Sequence, residues 1–169
     1  RADTTNRLWR TDSVDGGRGD DTLVATDTVF SAWGGAGVDT LDLTRAPDHA
    51  WYVQLQGGQW RGQNGSSAPL DGFENVHGGG GNEQVIGNEA DNTFRGNGGN
   101  DIFFDSAGTD RYFGGTGTDY LNLGGSFDSY TFNIGTDFLE VIGVAADIVT
   151  AWVQNTVEFF WFSGTILGY

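Results

Sequence analysis

Residues 78–122 read GGGGNEQVI, GNEADNTFR, GNGGNDIFF, DSAGTDRYF and GGTGTDYLN, which are five consecutive nine-residue units of one pattern. The pattern is G-G-x-G-x-D-x-(apolar)-x. Two earlier segments, GGRGDDTLV at 16–24 and GGAGVDTLD at 34–42, share it and start 18 residues apart, which is two units. The chain has 29 Gly but only 2 Pro among its 169 residues, as such a repeat requires.

The same frame extends beyond the obvious glycines, from Pro69 to Glu140, as eight units. The fourth residue of each unit is small, the sixth carries an oxygen donor and the eighth is apolar or aromatic. The sixth residues are Glu74, Glu83, Asn92, Asp101, Asp110, Asp119, Asp128 and Asp137. We expect this register to continue to Glu140, although YTFNIGTDFLEVIG (130–143), which follows the last opening glycines, is also typical of a simple hairpin.

Each unit combines a six-residue turn with a three-residue strand. Glycine is needed where the backbone takes a positive φ or where carbonyl groups crowd together. The eighth side chain points to one face of its strand, and its apolar character indicates that this face is buried. Two units make one coil of 18 residues, so the turns alternate between two edges. We therefore expect an all-β fold, a right-handed parallel β-roll (a β-solenoid) with a hairpin insert and a C-terminal β cap.

Such a stack places acidic residues of successive coils about 4.8 Å apart. The chain has 23 Asp and Glu against 8 Arg and no Lys, a net charge of −15, so these carboxylates repel one another. Either they are protonated or a cation lies between them. Ca²⁺ suits the position, because it takes 6–8 oxygen ligands in irregular geometry, whereas Mg²⁺ prefers a small octahedron. Softer metals lack ligands, since Cys is absent and His49 and His77 are the only His.

The units resemble the RTX (repeats-in-toxin, haemolysin-type) calcium-binding nonapeptide GGxGxDxUx. Clear matches lie at 16–24, 34–42 and 78–122. The stretch LDGFENVHGGGGNE resembles the spacer between RTX blocks, and NTVEFFWFSGT resembles a strand element that follows such arrays.

The resemblance implies several calcium ions, each held between a turn and the turn two units later. The first turn would supply the carbonyl groups at positions two and four and its acid at position six. The second turn would supply the carbonyl groups at positions one and three and its own acid. The implied sets are Gly17, Gly19, Asp21, Gly34, Ala36 and Asp39; Gly79, Gly81, Glu83, Gly96, Gly98 and Asp101; Asn97, Gly99, Asp101, Gly114, Thr116 and Asp119; Asn88, Ala90, Asn92, Asp105, Ala107 and Asp110; and Ser106, Gly108, Asp110, Leu123, Gly125 and Asp128.

Some positions depart from the motif. Glu83 is one methylene longer than Asp, and the neutral Asn92 predicts a weaker site. The unit at 25–33 has Phe30 at position six and supplies no carboxylate. Phe132 and Ile134 replace glycines between Asp119 and Asp137, so that pair is the poorest candidate.

Four segments follow from the pattern: a lead-in and first block at 1–42, a hairpin insert at 43–68, a second block at 69–140 and capping strands at 141–169. In the insert, WYVQLQ (51–56) alternates and the glycines at 57–58 predict a return into QWRG. Trp51 and Trp60 favour packing over the roll, with a stacking platform for a sugar ring as the alternative. The apolar tail favours capping of the exposed strand edge, with a partner or glycan surface as the alternative.

The composition excludes several classes. The strong negative charge argues against a nucleic-acid partner and an anionic membrane surface. No apolar run approaches the ~20 residues that span a bilayer. The motifs HExxH and G-x-S-x-G and the P-loop are absent, so we expect no enzyme. The opening RADTTNRLWR lacks an initiator Met and a signal-peptide pattern, which suggests a piece of a longer protein.

We therefore expect a module whose folding depends on calcium, because repulsion and glycine entropy oppose folding of the metal-free chain. The resemblance further implies a secreted, extracellular bacterial protein exported by a type I secretion system. The alternative is a calcium-dependent carbohydrate-binding or adhesin module appended to a secreted enzyme, with a polysaccharide as partner.

Overall fold

The computed structural model describes residues 13–26, 30–46, 49–62 and 65–123, and beyond them the strands at 130–134, 138–143, 150–154, 159–162 and 165–168. All regular elements in this part of the chain are β-strands. They are β1 Ser13–Arg18, β2 Thr22–Val24, β3 Ser31–Ala36, β4 Thr40–Asp42, β5 Tyr52–Gln54, β6 Gln59–Arg61, β7 Ser67–Asp71, β8 Asn75–His77, β9 Gln84–Ile86, β10 Thr93–Gly98, β11 Ile102–Phe104, β12 Arg111–Thr116, β13 Tyr120–Asn122, β14 Tyr130–Ile134, β15 Phe138–Gly143, β16 Thr150–Gln154, β17 Phe159–Phe162 and β18 Thr165–Gly168. No helix within these residues could cross a membrane.

The strands form two stacked sheets, so the predicted all-β parallel roll is confirmed. The first sheet has the order β1-β3-β7-β6-β5-β9-β11-β13-β17-β18, and the second has the order β14-β15-β16-β12-β10-β8-β4-β2. Within each block, parallel neighbours are offset by 18 residues: Thr22 pairs with Thr40, and Thr93 pairs with Arg111. This offset follows from two units of six turn residues and three strand residues.

The core lies between the sheets and is built from the eighth residue of each unit. These residues are at most 3% exposed: Leu23, Leu41, Val76, Val85, Phe94, Phe103, Tyr112 and Leu121. Phe94 and Phe103 stack with ring centroids 6.3 Å apart, and each lies less than 6 Å from the Tyr112 ring. The prediction of a buried apolar column is therefore confirmed as far as Leu121.

The insert contains the predicted hairpin. β5 and β6 pair antiparallel, and Gly57 and Gly58 turn the chain with φ of 106° and 66°. The sequence did not predict that β7 continues this hairpin by pairing antiparallel with β6 and parallel with β3. The three strands fill the first sheet between β3 and β9. In the second sheet β4 pairs directly with β8.

The expected register between Asn122 and Glu140 is wrong. β14 and β15 pair antiparallel, which is the hairpin alternative. The unit at 132–140 carries Phe132, Asn133 and Ile134 at its first three positions, and the two bulky apolar residues stand where the parallel turns have small or polar ones. The C-terminal β cap is confirmed at the level of strands, because β16 pairs with β12 and β17 pairs with β13, the last strands of the roll. The lead-in at 1–12 lies outside the described residues.

Candidate metal centre

The sixth residues of the units form one column along each edge of the roll. On the first edge, where turns run from the first sheet to the second, the column is Asp21, Asp39, Glu74, Asn92 and Asp110. On the second edge, where turns run from the second sheet to the first, it contains Glu83, Asp101 and Asp119. Among these residues, only Asp21 and Glu74 are more than 1% exposed.

Each column is held by hydrogen bonds from the backbone of one coil to the side chain of the next. The N–H of Asp21 donates to Oδ1 of Asp39 at 2.7 Å. On the second edge, the N–H of Glu83 donates to Oδ1 of Asp101 at 2.7 Å. A carboxylate at position six therefore satisfies a backbone donor of the preceding coil through one of its two oxygens.

The second oxygen differs from the first in three of these carboxylates. Oδ2 of Asp21, Asp39 and Asp101 is buried and accepts no hydrogen bond from the described residues. Burying an unpaired carboxylate oxygen is costly, because the ion loses its hydration without compensation. A cation beside each Oδ2 would supply the missing interaction.

Backbone carbonyl groups converge on the same points. A Cβ atom built on Gly96 would collide with Oδ2 of Asp101 and lie 2.5 Å from the carbonyl oxygen of Gly114. On the first edge, a Cβ on Gly16 would collide with the carbonyl oxygen of Gly34 and lie 2.9 Å from Oδ2 of Asp21. Glycine at position one thus leaves space that side-chain and main-chain oxygens share.

This donor set fits Ca²⁺. Among the described residues, the groups that converge are carboxylate and carbonyl oxygens, which Ca²⁺ accepts in irregular arrangements. No group of three His, Cys, Asp or Glu side chains converges within the described part of the chain. The absence of such a group is compatible with a cage in which the backbone provides the larger share of ligands.

The electrostatics of the second edge are unfavourable without a cation. The pKa of Asp101 is raised to about 7, because burial and, to a smaller extent, the nearby charge of Asp119 outweigh the opposing hydrogen bond from the Glu83 N–H. On the first edge the pKa of Asp39 is raised, by burial first and by the charges of Asp21 and Asp20 as well. The carboxylates therefore hold their charge at a cost, as the sequence analysis anticipated.

In three of the five predicted ligand sets, the first carboxylate lies beside the glycine at position one of its own turn. In the set around Asp21 and Asp39, Gly17 and Gly19 have φ of 97° and 105°, and their carbonyl oxygens face the next coil at Gly35 and Gly37. In the set around Asp101 and Asp119, Asn97 and Gly99 have φ of 72° and 100° and face Gly115 and Gly117. Asn tolerates this conformation better than most residues with a side chain.

The third of these sets contains Glu83. Its Oε2 accepts a 3.1 Å hydrogen bond from the N–H of Gly79 within its own turn. A Cβ on Gly78 would lie 2.5 Å from that Oε2 and 2.6 Å from the carbonyl oxygen of Gly96. The longer side chain thus brings its carboxylate to the same point beside position one as Asp101 does.

The set at Asn88, Ala90, Asn92, Asp105, Ala107 and Asp110 is different, because its side chains bond to one another. Oδ1 of Asn92 accepts the N–H of Asn88 at 3.0 Å. The Ser106 hydroxyl lies 2.9 Å from Oδ2 of Asp110 and 3.3 Å from Oδ1 of Asn92. A Cβ on Gly87 would collide with this hydroxyl, whereas Gly16 and Gly96 face carbonyl oxygens. Ser106 thus occupies the space that is left open in the other turns.

Tyr112 reinforces this network. Its hydroxyl donates to Oδ1 of Asp105 at 2.9 Å and lies 3.1 Å from Oδ2 of Asp110. The pKa of Asp105 is raised to about 7, because burial, together with the charge of Asp110, outweighs the opposing hydrogen bond from Tyr112. Oδ2 of Asp110 therefore accepts hydrogen bonds, whereas Oδ2 of Asp101 accepts none from the described residues.

In the fifth predicted set, which shares Asp110, Gly108 has a φ of 110°, and Gly125 and Asp128 lie outside the described residues.

The sequence analysis missed a second, outer ladder at position five. Oδ1 of Asp20 accepts the N–H of Val38 at 2.9 Å, and Oδ1 of Asn82 accepts the N–H of Asn100 at 2.7 Å. Asn100 and Asp91 make equivalent bonds with Thr118 and Thr109. The recurrence of Asp or Asn at this position was the available signal.

Aromatic residues replace the carboxylates in the early part of the second edge. The carbonyl of Trp51 accepts the N–H of Gln84 at 2.8 Å, just as the carbonyl of Glu83 accepts the N–H of Ile102 at 2.9 Å, which places Trp51 at position six. The Trp60 ring stacks on Trp51 at 5.6 Å and meets Phe30 edge-on at 5.0 Å.

This burial decides between the two interpretations of the tryptophans. Trp51 and Trp60 are 2% and 0% exposed, and Nε1 of Trp60 donates to the carbonyl of Phe30 at 2.8 Å. A sugar-stacking platform needs an exposed ring face, which neither residue offers. The platform interpretation is therefore corrected in favour of packing.

Comparison with known families agrees with the repeat geometry. A family model described as RTX calcium-binding nonapeptide repeat (4 copies) matches residues 9–27, 77–104 and 104–139. The turn at 34–39 lies outside these matches, although it has the same backbone geometry as the turn at 16–21. No curated protein matches the chain.

Proposed function

We propose that this chain, which carries repeats of the RTX calcium-binding nonapeptide family, is a module whose folding is driven by calcium and which assists the export and extracellular folding of a larger secreted protein. The family is one of structural calcium-binding repeats and not a catalytic one. The proposal adds to calcium binding the coupling of that binding to folding.

The observation that carries the proposal is the set of buried carboxylate oxygens without hydrogen-bond partners, at Asp21, Asp39 and Asp101. The folded state brings them close to carbonyl oxygens, which have partial negative charge. With a net charge of −15 and 29 glycines, the metal-free chain gains little from folding and loses much conformational entropy. Binding free energy in such a site contributes directly to folding free energy.

The link to export rests on the same coupling. A chain that folds only in calcium stays unfolded in a calcium-poor cytosol and folds after it reaches a calcium-rich exterior. RTX repeats occur in secreted bacterial proteins, which supports an extracellular location and a type I secretion system as partner. The absence of Cys is compatible with this route.

The test is far-UV circular dichroism of metal-free protein titrated with CaCl₂, with MgCl₂ as the matched control. We expect a disordered spectrum in chelator, a cooperative gain of β-structure with Ca²⁺ and a much smaller response to Mg²⁺, whose octahedral preference suits a carbonyl cage poorly. A chelated protein that is folded and as stable as the calcium-loaded protein would refute the proposal.

The two tryptophans that motivated the carbohydrate-binding or adhesin alternative are buried, so they offer no exposed ring face for a sugar. A glycan array in calcium buffer is the direct test of this alternative, and saturable binding there would revive it.

A further inference from the structure

The short turn at 72–74 takes the place of a complete repeat turn on the first edge. Trp33 pairs with Asp71 before the turn, and Thr40 pairs with Asn75 after it. Three residues therefore span the distance that six residues, 34–39, span in the preceding coil. The strand pairing aligns Gly72, the fourth residue of the predicted unit at 69–77, with Gly34 at position one, and it keeps Glu74 at position six, so the predicted six-residue turn at 69–74 is wrong.

Glu74 belongs to the column of position-six residues on the first edge. Its Oε2 accepts the N–H of Asp39 at 2.7 Å, the same bond that Oδ1 of Asp39 makes with the N–H of Asp21. The two acids are 35 residues apart in the chain, so a search for spacings of 18 does not connect them. The longer Glu side chain reaches this amide from a turn that has three residues fewer than the turn at 34–39.

The space between the two turns has the features of the other candidate sites. Asp39 is 0% exposed, and its buried Oδ2 accepts no hydrogen bond from any residue that the structure describes. A Cβ on Gly34 would lie 2.8 Å from this Oδ2 and collide with the carbonyl oxygen of Gly72. A Cβ on Gly72 would lie 3.2 Å from the carbonyl oxygen of Gly35, so this oxygen faces the same region.

We infer that a calcium ion binds between the turns at 34–39 and 72–74, held by the carboxylates of Asp39 and Glu74 and by the carbonyl oxygens of Gly35 and Gly72. This site rests on the calcium binding proposed above, but it is not among the predicted ligand sets. Because the short turn supplies fewer carbonyl groups than a six-residue turn, water completes the coordination shell and the site is weaker than its neighbours.

The position of the site gives it a particular role. The insert at 43–68 separates the two coils in sequence, and β4 and β8 bring them together again in the second sheet. An ion here links the first block to the coils that follow.

The test is a count of bound calcium ions by native mass spectrometry of the full chain at saturating CaCl₂. Glu74→Gln keeps an oxygen acceptor for the Asp39 N–H but removes the charge. Glu74→Asp keeps the charge but is one methylene too short for this turn. Glu89→Gln is the matched control, because Glu89 is an exposed acid outside both columns. We expect one ion fewer than wild type in both Glu74 variants and no change in the control.

An unchanged ion count in the Glu74 variants would overturn the inference while leaving the proposed function intact. A Glu74→Gln variant that does not fold at saturating calcium would also overturn it, since loss of this one ion leaves the other sites in place. A wild-type chain that binds no calcium would instead refute the proposed function, so the two failures are distinguishable.

Discussion

The backbone N–H of Asp101 donates a 2.8 Å hydrogen bond to Oδ1 of Asp119, the residue at the same position one coil later. One oxygen of each carboxylate thus joins neighbouring coils, while Oδ2 of Asp101 is left facing the carbonyl oxygen of Gly114. The two oxygens have separate roles, and the difference allows variants that remove the charge without removing the hydrogen bond.

Asp101→Asn tests the charge at the centre of the second edge. The amide retains an oxygen for the Glu83 N–H but removes the negative charge that attracts the ion. We expect the calcium midpoint of folding, followed by circular dichroism, to rise about tenfold or more, which corresponds to about 1.4 kcal/mol.

Asp91→Asn is the control for this variant. Asp91 is an exposed member of the outer ladder at position five. Its Oδ1 accepts a backbone N–H of the next coil, as Oδ1 of Asn82 and of Asn100 does in other turns. We expect its calcium midpoint to match that of wild type. Equal shifts in the two variants would indicate a general effect of net charge and contradict a local ion at Asp101.

The metal-free protein should be more stable in mild acid than in mild base. The raised pKa values of Asp39, Asp101 and Asp110 mean that the folded state binds more protons than the unfolded state between the unfolded value and the folded value. Stability therefore falls as pH rises through about 4 to 7. Far-UV circular dichroism of chelated protein at about pH 5 and about pH 8 measures this, with more residual β-structure expected at the lower pH.

The reverse dependence is expected for calcium binding, because protons compete with the ion for the same carboxylates. The calcium midpoint should rise as the pH falls over the same interval. A metal-free protein whose stability increases with pH would show that the buried carboxylates are not the dominant titrating groups.

A double variant should create a new site on the first edge. Asn92→Asp restores the acid, and Ser106→Gly removes the hydroxyl that fills the space beside Gly87. We expect one additional bound calcium ion in native mass spectrometry. Asn92→Asp alone should add none, because Ser106 still occupies the space, and an extra ion in that single variant would contradict this explanation.

Trp60→Ala tests the aromatic cluster that replaces carboxylates on the second edge. Trp60 is fully buried between Trp51 and Phe30, so its removal leaves a large cavity. We expect a loss of roughly 3–5 kcal/mol in urea unfolding at saturating calcium. Trp33→Ala, at a position 37% exposed, should cost much less. Similar losses in the two variants would argue against the packing role of Trp60.

The sequence alone determined the repeating part of the fold. The 18-residue offset, the buried eighth position and the alternation of turns between two edges all follow from local spacing, since each turn is formed by its own glycines. The hairpin at Gly57 and Gly58 was predictable for the same reason. The excess of acid along the stack by itself pointed to a cation.

Only the tertiary structure decided how the interrupted parts meet. The contact of Asp39 with Glu74, the continuation of the hairpin into β7 and the antiparallel pairing of β14 with β15 depend on non-local strand pairing, which a nine-residue pattern does not encode. The filling of one candidate site by Ser106 and Tyr112 was equally hidden, because it depends on side chains from neighbouring turns reaching the same buried space. Local spacing determines the coil, whereas packing between coils determines which of its cavities an ion can enter.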